Sequence, residues 1–487
     1  MTASRDRDPK KTHWRTVQAT QATLVIDADN YFNAAREAML QARERIMLVG
    51  WDFDARINFG DAGKDDGPPT VGEFIYWLVE RTPTLHVYLL RWQLGALKTL
   101  ARGSTFLTVL KWMKHPRIFT KLDAAHPPAA SHHQKIVVLD DSFAFCGGID
   151  MTGSRWDTRE HLDHNPKRIL PNGKPHDPWH DATTALQGPV AAALGDLCRA
   201  RWESAGCAPL APVAPVTAFW PASVPVQFRD VTVKIARSMP EMLGRPGVRE
   251  IEALYLEHIG RAKRWIYAES QYFASRRIAE AIAKRLEEEN GPEVVIINPF
   301  TAQGWLEPIA MDTARARLYE ALRRRDKHGR FNIYHPYTHG GQAIYVHAKV
   351  LIVDDDILRI GSSNINNRSL GLDTECDVVI DGNDAENRDK VAEISRIRNS
   401  LLAEHLGVGE DIVAQSISTT QSLIGTIESM RHQTNKLRPY VLPEVNDVAA
   451  WLADNEILDP EGPDEMFEGV DKRGLFRRNW FNRTFRS

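Results

Sequence analysis

Cysteine is scarce in this chain, with four among 487 residues: Cys146, Cys198, Cys207 and Cys376. So few and so scattered, they exclude a disulfide framework. Cys146 and Cys376 lie in apolar runs and read as small core residues. Net charge is scarce too, with 61 basic against 64 acidic side chains and a formal charge of −3. No global field is available to hold nucleic acid, so any polyanion must be recognised locally. No window supplies the roughly 18 consecutive apolar residues of a membrane span. The first residues, MTASRDRDPKKTHWR, lack the apolar segment of a secretory signal. The expectation is a soluble cytoplasmic protein, with leaderless export left open.

What the chain does have is a short pattern that occurs twice. His133-x-Lys135-x₄-Asp140 recurs as His347-x-Lys349-x₄-Asp354, and Gly147-Gly148-Ile149-Asp150 is answered by Gly361-Ser362-Ser363-Asn364. His, Lys, Asp, the glycine and the final Asp/Asn are all displaced by the same 214 residues. A single copy would be a weak motif. Two copies with matched flanks and one rigid offset imply a duplicated fold carrying one composite site.

The rest of the chain follows the duplication. Phe32, Ala35, Met39 and Ala42 are spaced for one helical face, and Ile46-Met47-Leu48-Val49 then reads as a buried strand. The same unit returns as Ile251, Leu254, Ile259 and Ala262, followed by Trp265-Ile266-Tyr267-Ala268. A second strand at Val87–Leu90 is matched by Val294–Ile297. Helical segments alternating with short apolar strands predict an α/β layered sheet in each half. Between the halves, Ala208–Pro215 holds three prolines, with Pro221 and Pro225 soon after, and reads as a linker. The predicted organisation is a flexible start at 1–19, repeats at 20–207 and 228–405 joined by the linker 208–227, and an extension at 406–487. The extension has no internal counterpart, and about 417–436 can be helical. Its end, Lys472–Arg486, is basic and aromatic. Such a composition suits an anionic membrane surface, or aromatics packed back on the body with arginines facing water.

The motif carries the chemistry. The runs Ile136-Val137-Val138-Leu139 and Val350-Leu351-Ile352-Val353 are buried strands. Side chains alternate along a strand, so His133 and Lys135 share a face, as do His347 and Lys349. A pseudo-two-fold arrangement would gather two imidazoles and two ammonium groups around one small anion. Phosphate fits: lysines supply charge, while histidines attack and move protons near neutral pH.

These residues resemble the phospholipase D superfamily, whose members carry two such His-Lys-Asp motifs. The resemblance extends through Phe145–Thr158, Pro178-Trp179-His180-Asp181, Gln187-Gly188-Pro189, Glu269-Ser270-Gln271-Tyr272-Phe273, and Gly361–Leu370 with Asp373-Thr374-Glu375, covering about residues 25–405. It implies two tandem α/β/α repeats related by a pseudo-two-fold axis, with mixed sheets flanked by helices and a composite active site between them. It also implies a covalent phosphohistidine. By analogy His133 attacks phosphorus, His347 protonates the leaving alcohol and then activates water or another alcohol, and Lys135, Lys349 and Asn364 hold the phosphoryl oxygens. Ser362, Gly148, Gln271, Trp179 and Asp150 join Asn364 as expected substrate contacts. Asp150 departs from the Asn common in the family and, when ionised, can only accept a hydrogen bond. Asp181 and Glu375 are the expected partners of the two histidines. Asp140 and Asp354, the motif's last letters, lie too far along their strands to touch the same phosphate. Their expected role is to bond turn amides near the Gly-Gly and Gly-Ser segments.

The polar stretch from Ser154 to Asp181 holds His161, His164, His176 and His180. Neither spacing nor a cysteine partner marks a structural zinc site, so no metal or other cofactor is expected. The stretch reads instead as a loop that shapes the substrate site. Trp51, Trp156, Trp179 and Tyr272 line a headgroup pocket or pack in the core. The predicted function is a monomeric phospholipase D-type phosphodiesterase. Its expected partners are a phospholipid, a membrane surface and a water or alcohol acceptor, with no nucleic acid. A cardiolipin synthase-like phosphatidyltransferase is the principal rival. A superfamily nuclease and a catalytically dead membrane-binding protein fit the sequence less well.

Overall fold

The computed structural model describes residues 11–92, 104–128, 130–214, 219–242, 244–303 and 308–443. Short β-branched runs alternate with helical stretches, and each becomes an element. The first half supplies β1 (Arg15–Ile26), β2 (Arg45–Gly50), β3 (His86–Trp92), β4 (Ile118–Asp123), β5 (Ile136–Leu139), β6 (Phe143–Gly147), β7 (Trp179–His180) and β8 (Ala182–Gln187). The second half supplies β9 (Phe228–Met239), β10 (Val248–Arg249), β11 (Trp265–Glu269), β12 (Glu293–Ile297) and β13 (Phe331–Pro336). It continues with β14 (Tyr345–Val346), β15 (Val350–Val353), β16 (Ile357–Gly361), β17 (Glu375–Asp381) and β18 (Leu437–Pro439).

Sheet order makes the duplication visible. The strands run β18-β13-β12-β11-β15-β16-β17-β9-β1-β8-β6-β5-β2-β3-β4, so each half reads as the other in reverse. The halves meet where β1 pairs antiparallel with β9, as two copies of one strand related by a two-fold axis must. The expectation of a sheet in each half is corrected here: the two are joined into one mixed sheet. Left apart, β1 and β9 would each present an unpaired edge. Within each half, parallel neighbours such as β2 and β3, or β11 and β12, are bridged by helices Val71–Arg81 and Arg276–Glu287.

Helix Ala28–Gln41 buries Phe32, Ala35 and Met39, the face that apolar spacing marks. Its counterpart Glu250–Arg261 buries Ile251, Leu254 and Ile259. Each half has its own outer core, and a third core lies between them. That central core includes Cys146, Cys376 and residues of helices Pro189–Ser204 and Val391–Leu406. Cys146 and Cys376 face one another across the halves with Sγ atoms 3.7 Å apart, both fully buried.

Two helices, Glu410–Thr420 and Leu423–Thr434, stand where one helical stretch near 417–436 is expected. Gln421 turns left-handed (φ 53°) and ends the first, and Ser422 Oγ accepts the Gly425 N–H at 2.7 Å to start the second. β18 then covers the edge of β13. The basic, aromatic stretch Lys472–Arg486 lies outside the described residues. Among those described, no helix is long and apolar enough to cross a membrane.

Candidate active site

Lys135 immediately precedes β5 and Asp140 immediately follows it; Lys349 and Asp354 flank β15 in the same way. The apolar four-residue strand between them is fully buried and fixes both ends. The His-x-Lys segments are thus the extended entries to these strands, not their interiors. Pairing with the opposite half holds them there. The His133 N–H donates to the Thr374 carbonyl at 3.0 Å, and the His347 N–H to the His180 carbonyl at 2.7 Å. β7 and β14 pair in parallel as a small second sheet across the halves.

This cross-pairing sets each histidine against the carboxylate that follows the residue whose carbonyl it bonds, Glu375 after Thr374 and Asp181 after His180. His133 Nδ1 lies 3.0 and 3.1 Å from the two oxygens of Glu375, and His347 Nδ1 lies 2.7 Å from Asp181 Oδ2. Both carboxylates are wholly buried. Each therefore fixes a tautomer with the proton on Nδ1 and leaves Nε2 free to react. The lysines curl back on the same face: Lys135 Nζ donates to the His133 carbonyl at 2.9 Å, and Lys349 Nζ to the His347 carbonyl.

The two halves then differ. Lys135 forms an ion pair with Asp150 at 3.1 Å, and Asp150 also accepts the Trp51 N–H at 3.1 Å. Among the described residues no carboxylate forms an ion pair with Lys349; its Nζ meets the Gln271 side-chain oxygen at 3.4 Å, as does Asn364 Nδ2. The Gln271 amide donates in turn to Tyr272 and Tyr345. Asp150, an expected substrate contact, is placed against Lys135 and two backbone amides.

Two other expected substrate contacts lie against the carboxylates. Ser362 Oγ donates to Glu375. Its counterpart Gly148 sits where any Cβ would run into the Asp181 carboxylate, so glycine is required by that close approach. Trp179 is 2 % exposed, stacks on Tyr345 and lies 5.2 Å from the His347 ring. Trp156 donates to Asp29 at 3.0 Å, and Trp51 stacks on Trp92.

Asp140 and Asp354 anchor turns, as expected, though different ones. Asp140 accepts from the N–H groups of Arg43, Glu44 and Arg45 at 2.6–2.8 Å. Asp354 accepts from Lys263, Arg264 and Trp265 at 2.5–3.0 Å. These amides belong to the helix-to-strand turns entering β2 and β11, not to the Gly-Gly and Gly-Ser segments. The neighbouring strand supplies them because β5 lies antiparallel to β2, and β15 to β11.

The electrostatics favour an anion. Burial pushes both histidines well below their usual range, and Lys135 and Lys349 push His133 further the same way. Burial, with Lys135 nearby, lowers Lys349 to about 7. Burial raises Glu375 to about 8, opposed by its bond from Ser362, and it raises Asp181 as well. His133, His347 and Lys349 are each held short of full charge by burial and neighbouring cations, so a bound anion would relieve all three.

Arg155 escapes sequence reasoning. Its guanidinium lies 4.1 Å over the Trp179 ring, and its charge is among those lowering His347 and Lys349. Its only signal is a place in the stretch following the first motif. Also unforeseen is a group of buried ionisable residues (Asp27, His161, Glu269 and Glu404) around His180, immediately before Asp181.

Comparison with known proteins agrees with this arrangement. The family model described as "Phospholipase D" matches residues 38–281, and "Cardiolipin synthase, PLD-like domain" matches 255–396. Phospholipase D alpha 4 of Arabidopsis thaliana is 24% identical, covering 84% of this chain and 67% of that protein. Phospholipase D A of Dictyostelium discoideum is 24% identical over 71% of this chain and 32% of its own length. Phospholipase D alpha 1 of Zea mays is 26% identical over 58% and 49%. The chain thus spans from about a third to two thirds of these relatives. The crystal structure of phosphatidylserine synthase from Haemophilus influenzae Rd KW20 shares the fold, with a TM-score of 0.55 at 15% identity over 88% of this chain and 97% of that one. With half of its length matched by one family model and both His-x-Lys pairs gathered across a pseudo-two-fold axis, the chain belongs to the phospholipase D family.

Proposed function

We propose that this chain is a phosphodiesterase acting on glycerophospholipids, releasing the headgroup alcohol and phosphatidic acid through a phosphohistidine. The observation that carries this reading is the crossed pairing of His133 with Glu375 and His347 with Asp181 beside two lysines. His133 Nε2 attacks phosphorus, forming an N–P bond as the bond to the leaving oxygen breaks. Glu375 stabilises the imidazolium charge that develops. His347 donates its Nε2 proton to the leaving oxygen, with Asp181 stabilising the protonated state beforehand. His347, now neutral, takes a proton from water, whose oxygen attacks phosphorus and frees His133. An alcohol replaces water in transphosphatidylation. Lys135, Lys349 and the Asn364 amide are aimed at the oxygens where negative charge builds. Removing one such donor typically costs on the order of 10²–10³ in kcat.

Transfer of the phosphatidyl group to a lipid alcohol is the second reading, favoured by the cardiolipin synthase description of the model matching residues 255–396. Product analysis on mixed phospholipid vesicles, with and without a primary alcohol, decides between them. Phosphatidic acid alone, giving way to phosphatidylalcohol when alcohol is added, supports hydrolysis. Cardiolipin as the main product would overturn it in favour of transfer. Membrane contact is proposed through Lys472–Arg486. Deleting 472–487 should weaken binding to anionic vesicles more than it slows hydrolysis of a soluble phosphodiester; equal losses would refute that role.

A further inference from the structure

Behind the reacting histidines lies a second cluster with a different geometry. Asp27, just before helix Ala28–Gln41, His161 in the long loop, His180 in β7 and Glu404 near the end of helix Val391–Leu406 converge on one point. One ligand atom from each lies within 4.8 Å of all the others. The separations are 3.5 Å from His161 Nε2 to Asp27 Oδ2 and 3.2 Å from His161 Nε2 to Glu404 Oε1. His180 Nδ1 lies 3.2 Å from Asp27 Oδ1 and 2.8 Å from Glu404 Oε1. Four ligands placed about 2.0–2.1 Å from a zinc ion stand about 3.3 Å apart, which is the spacing found here.

The surroundings orient the ligands inward. His161 Nδ1 is tied to Asp157 at 3.0 Å, leaving Nε2 for the centre. His180 Nε2 is tied to Glu269 at 2.9 Å, leaving Nδ1 for the centre. Both outer carboxylates are fixed: Asp157 by Arg168 and the Trp179 N–H, Glu269 by His405 and the Tyr267 hydroxyl. A carboxylate behind each imidazole is the usual support of a metal-bound histidine. The remaining Glu404 oxygen is held by Arg159. At the centre, Asp27 Oδ2 and His180 Nδ1 have ion-pair contacts but no well-aligned hydrogen bond, and the Asp27 and His180 side chains are 0 % exposed. Buried polar atoms so placed are costly unless something bonds them.

We propose that Asp27, His161, His180 and Glu404 bind one divalent transition-metal ion of the zinc class. Two carboxylates neutralise its charge, and the two imidazoles select a transition metal over calcium or magnesium. Three ligands come from the first half and Glu404 from the second, so the ion clamps the halves together. His180 also holds the His347 N–H through its carbonyl, so the clamp lies one residue from the proton-transfer pair.

The full chain, carrying no polyhistidine tag, is produced in zinc-supplemented and in cobalt-supplemented medium, and its metal content is measured. Wild type should retain close to one ion per chain, and the cobalt protein should show the visible d–d bands of a four-coordinate site. Asp27→Asn and His161→Gln should lose the ion, whereas His133→Ala should keep it. Asp157→Asn, which removes no ligand atom and only loosens the support of His161, tests the site if those two variants fail to fold; it should weaken zinc binding about ten- to a hundred-fold. Wild type without metal or cobalt bands would overturn the proposal and leave a proton-filled ion-pair network. So would an ion kept at full affinity by all three cluster variants, or lost from His133→Ala.

Discussion

A single difference between matched residues divides the labour of the site. Asp150 and Asn364 occupy equivalent places after their motifs, yet Asp150 neutralises Lys135 while Lys349, on the Asn364 side, has no carboxylate ion-pair partner among the described residues. Lys349 is therefore the more sensitive cation, lowered to about 7 by burial and by Lys135. A lysine with a depressed value loses its charge as pH rises through that value. His133, pushed below its usual 6.5, must be neutral to attack and is protonated only at lower pH. His347 must hold the proton it donates and is likewise pushed well below 6.5. The kcat/KM of the free enzyme on a soluble phosphodiester should therefore rise as His133 loses its proton, then fall as His347 and, near 7, Lys349 lose theirs. In kcat both losses should lie at higher pH, because bound phosphate favours the charged forms. Lys349→Arg keeps its proton and should remove the step near 7 while lowering the rate. A step near 7 that persists in that variant would assign it to another group.

At the scale of elements, the motif's third letter holds the strands rather than the substrate. Asp140 and Asp141 both adopt left-handed backbone (φ 48° and 50°), as do Asp354 and Asp355, so each β5–β6 or β15–β16 hairpin turns tightly on two aspartates. From that turn Asp140 binds three amides entering β2. Asp140→Ala should cost about 2–3 kcal/mol in chemical unfolding, the loss of charge-assisted bonds to three N–H groups. The kcat of the folded fraction should change less than about threefold; a fall like that of the histidine variants would place Asp140 in the chemistry. This separation shows what was legible in the sequence. Period and β-branching mark β2, β3, β5, β11, β12 and β15, because a buried strand is a local property. The 214-residue offset marks the paired site, because a duplication writes itself twice. What the linear pattern does not carry is contact between distant segments. Nothing near Asp140 names Arg43–Arg45, and nothing near His180 names Glu404. Likewise the offset between Asp181 and Glu375 is 194 rather than 214, since the first half carries 20 more residues between its motif and its carboxylate. That longer loop brings His161 and Arg155.

At the scale of the whole molecule, the halves are equivalent in fold, and the proposed reaction centre lies between them. Each motif histidine takes its carboxylate from the opposite half, so neither half alone completes the pair that His133 or His347 makes. The join is deep: β1 with β9, β7 with β14, and a shared core between. Two independent sites would yield two phosphohistidines per chain and independent losses on mutation. One composite site predicts otherwise. Rapid quench with a phosphodiester labelled on the retained side should trap one phosphoryl group per chain, on His133 and not on His347. His133→Ala and His347→Ala should each lower turnover by about 10⁴ or more, and the double variant should be no slower than the worse single one, because the two act as a unit. Losses that multiply, or a burst approaching two per chain, would mean that the symmetry of the fold extends to the chemistry.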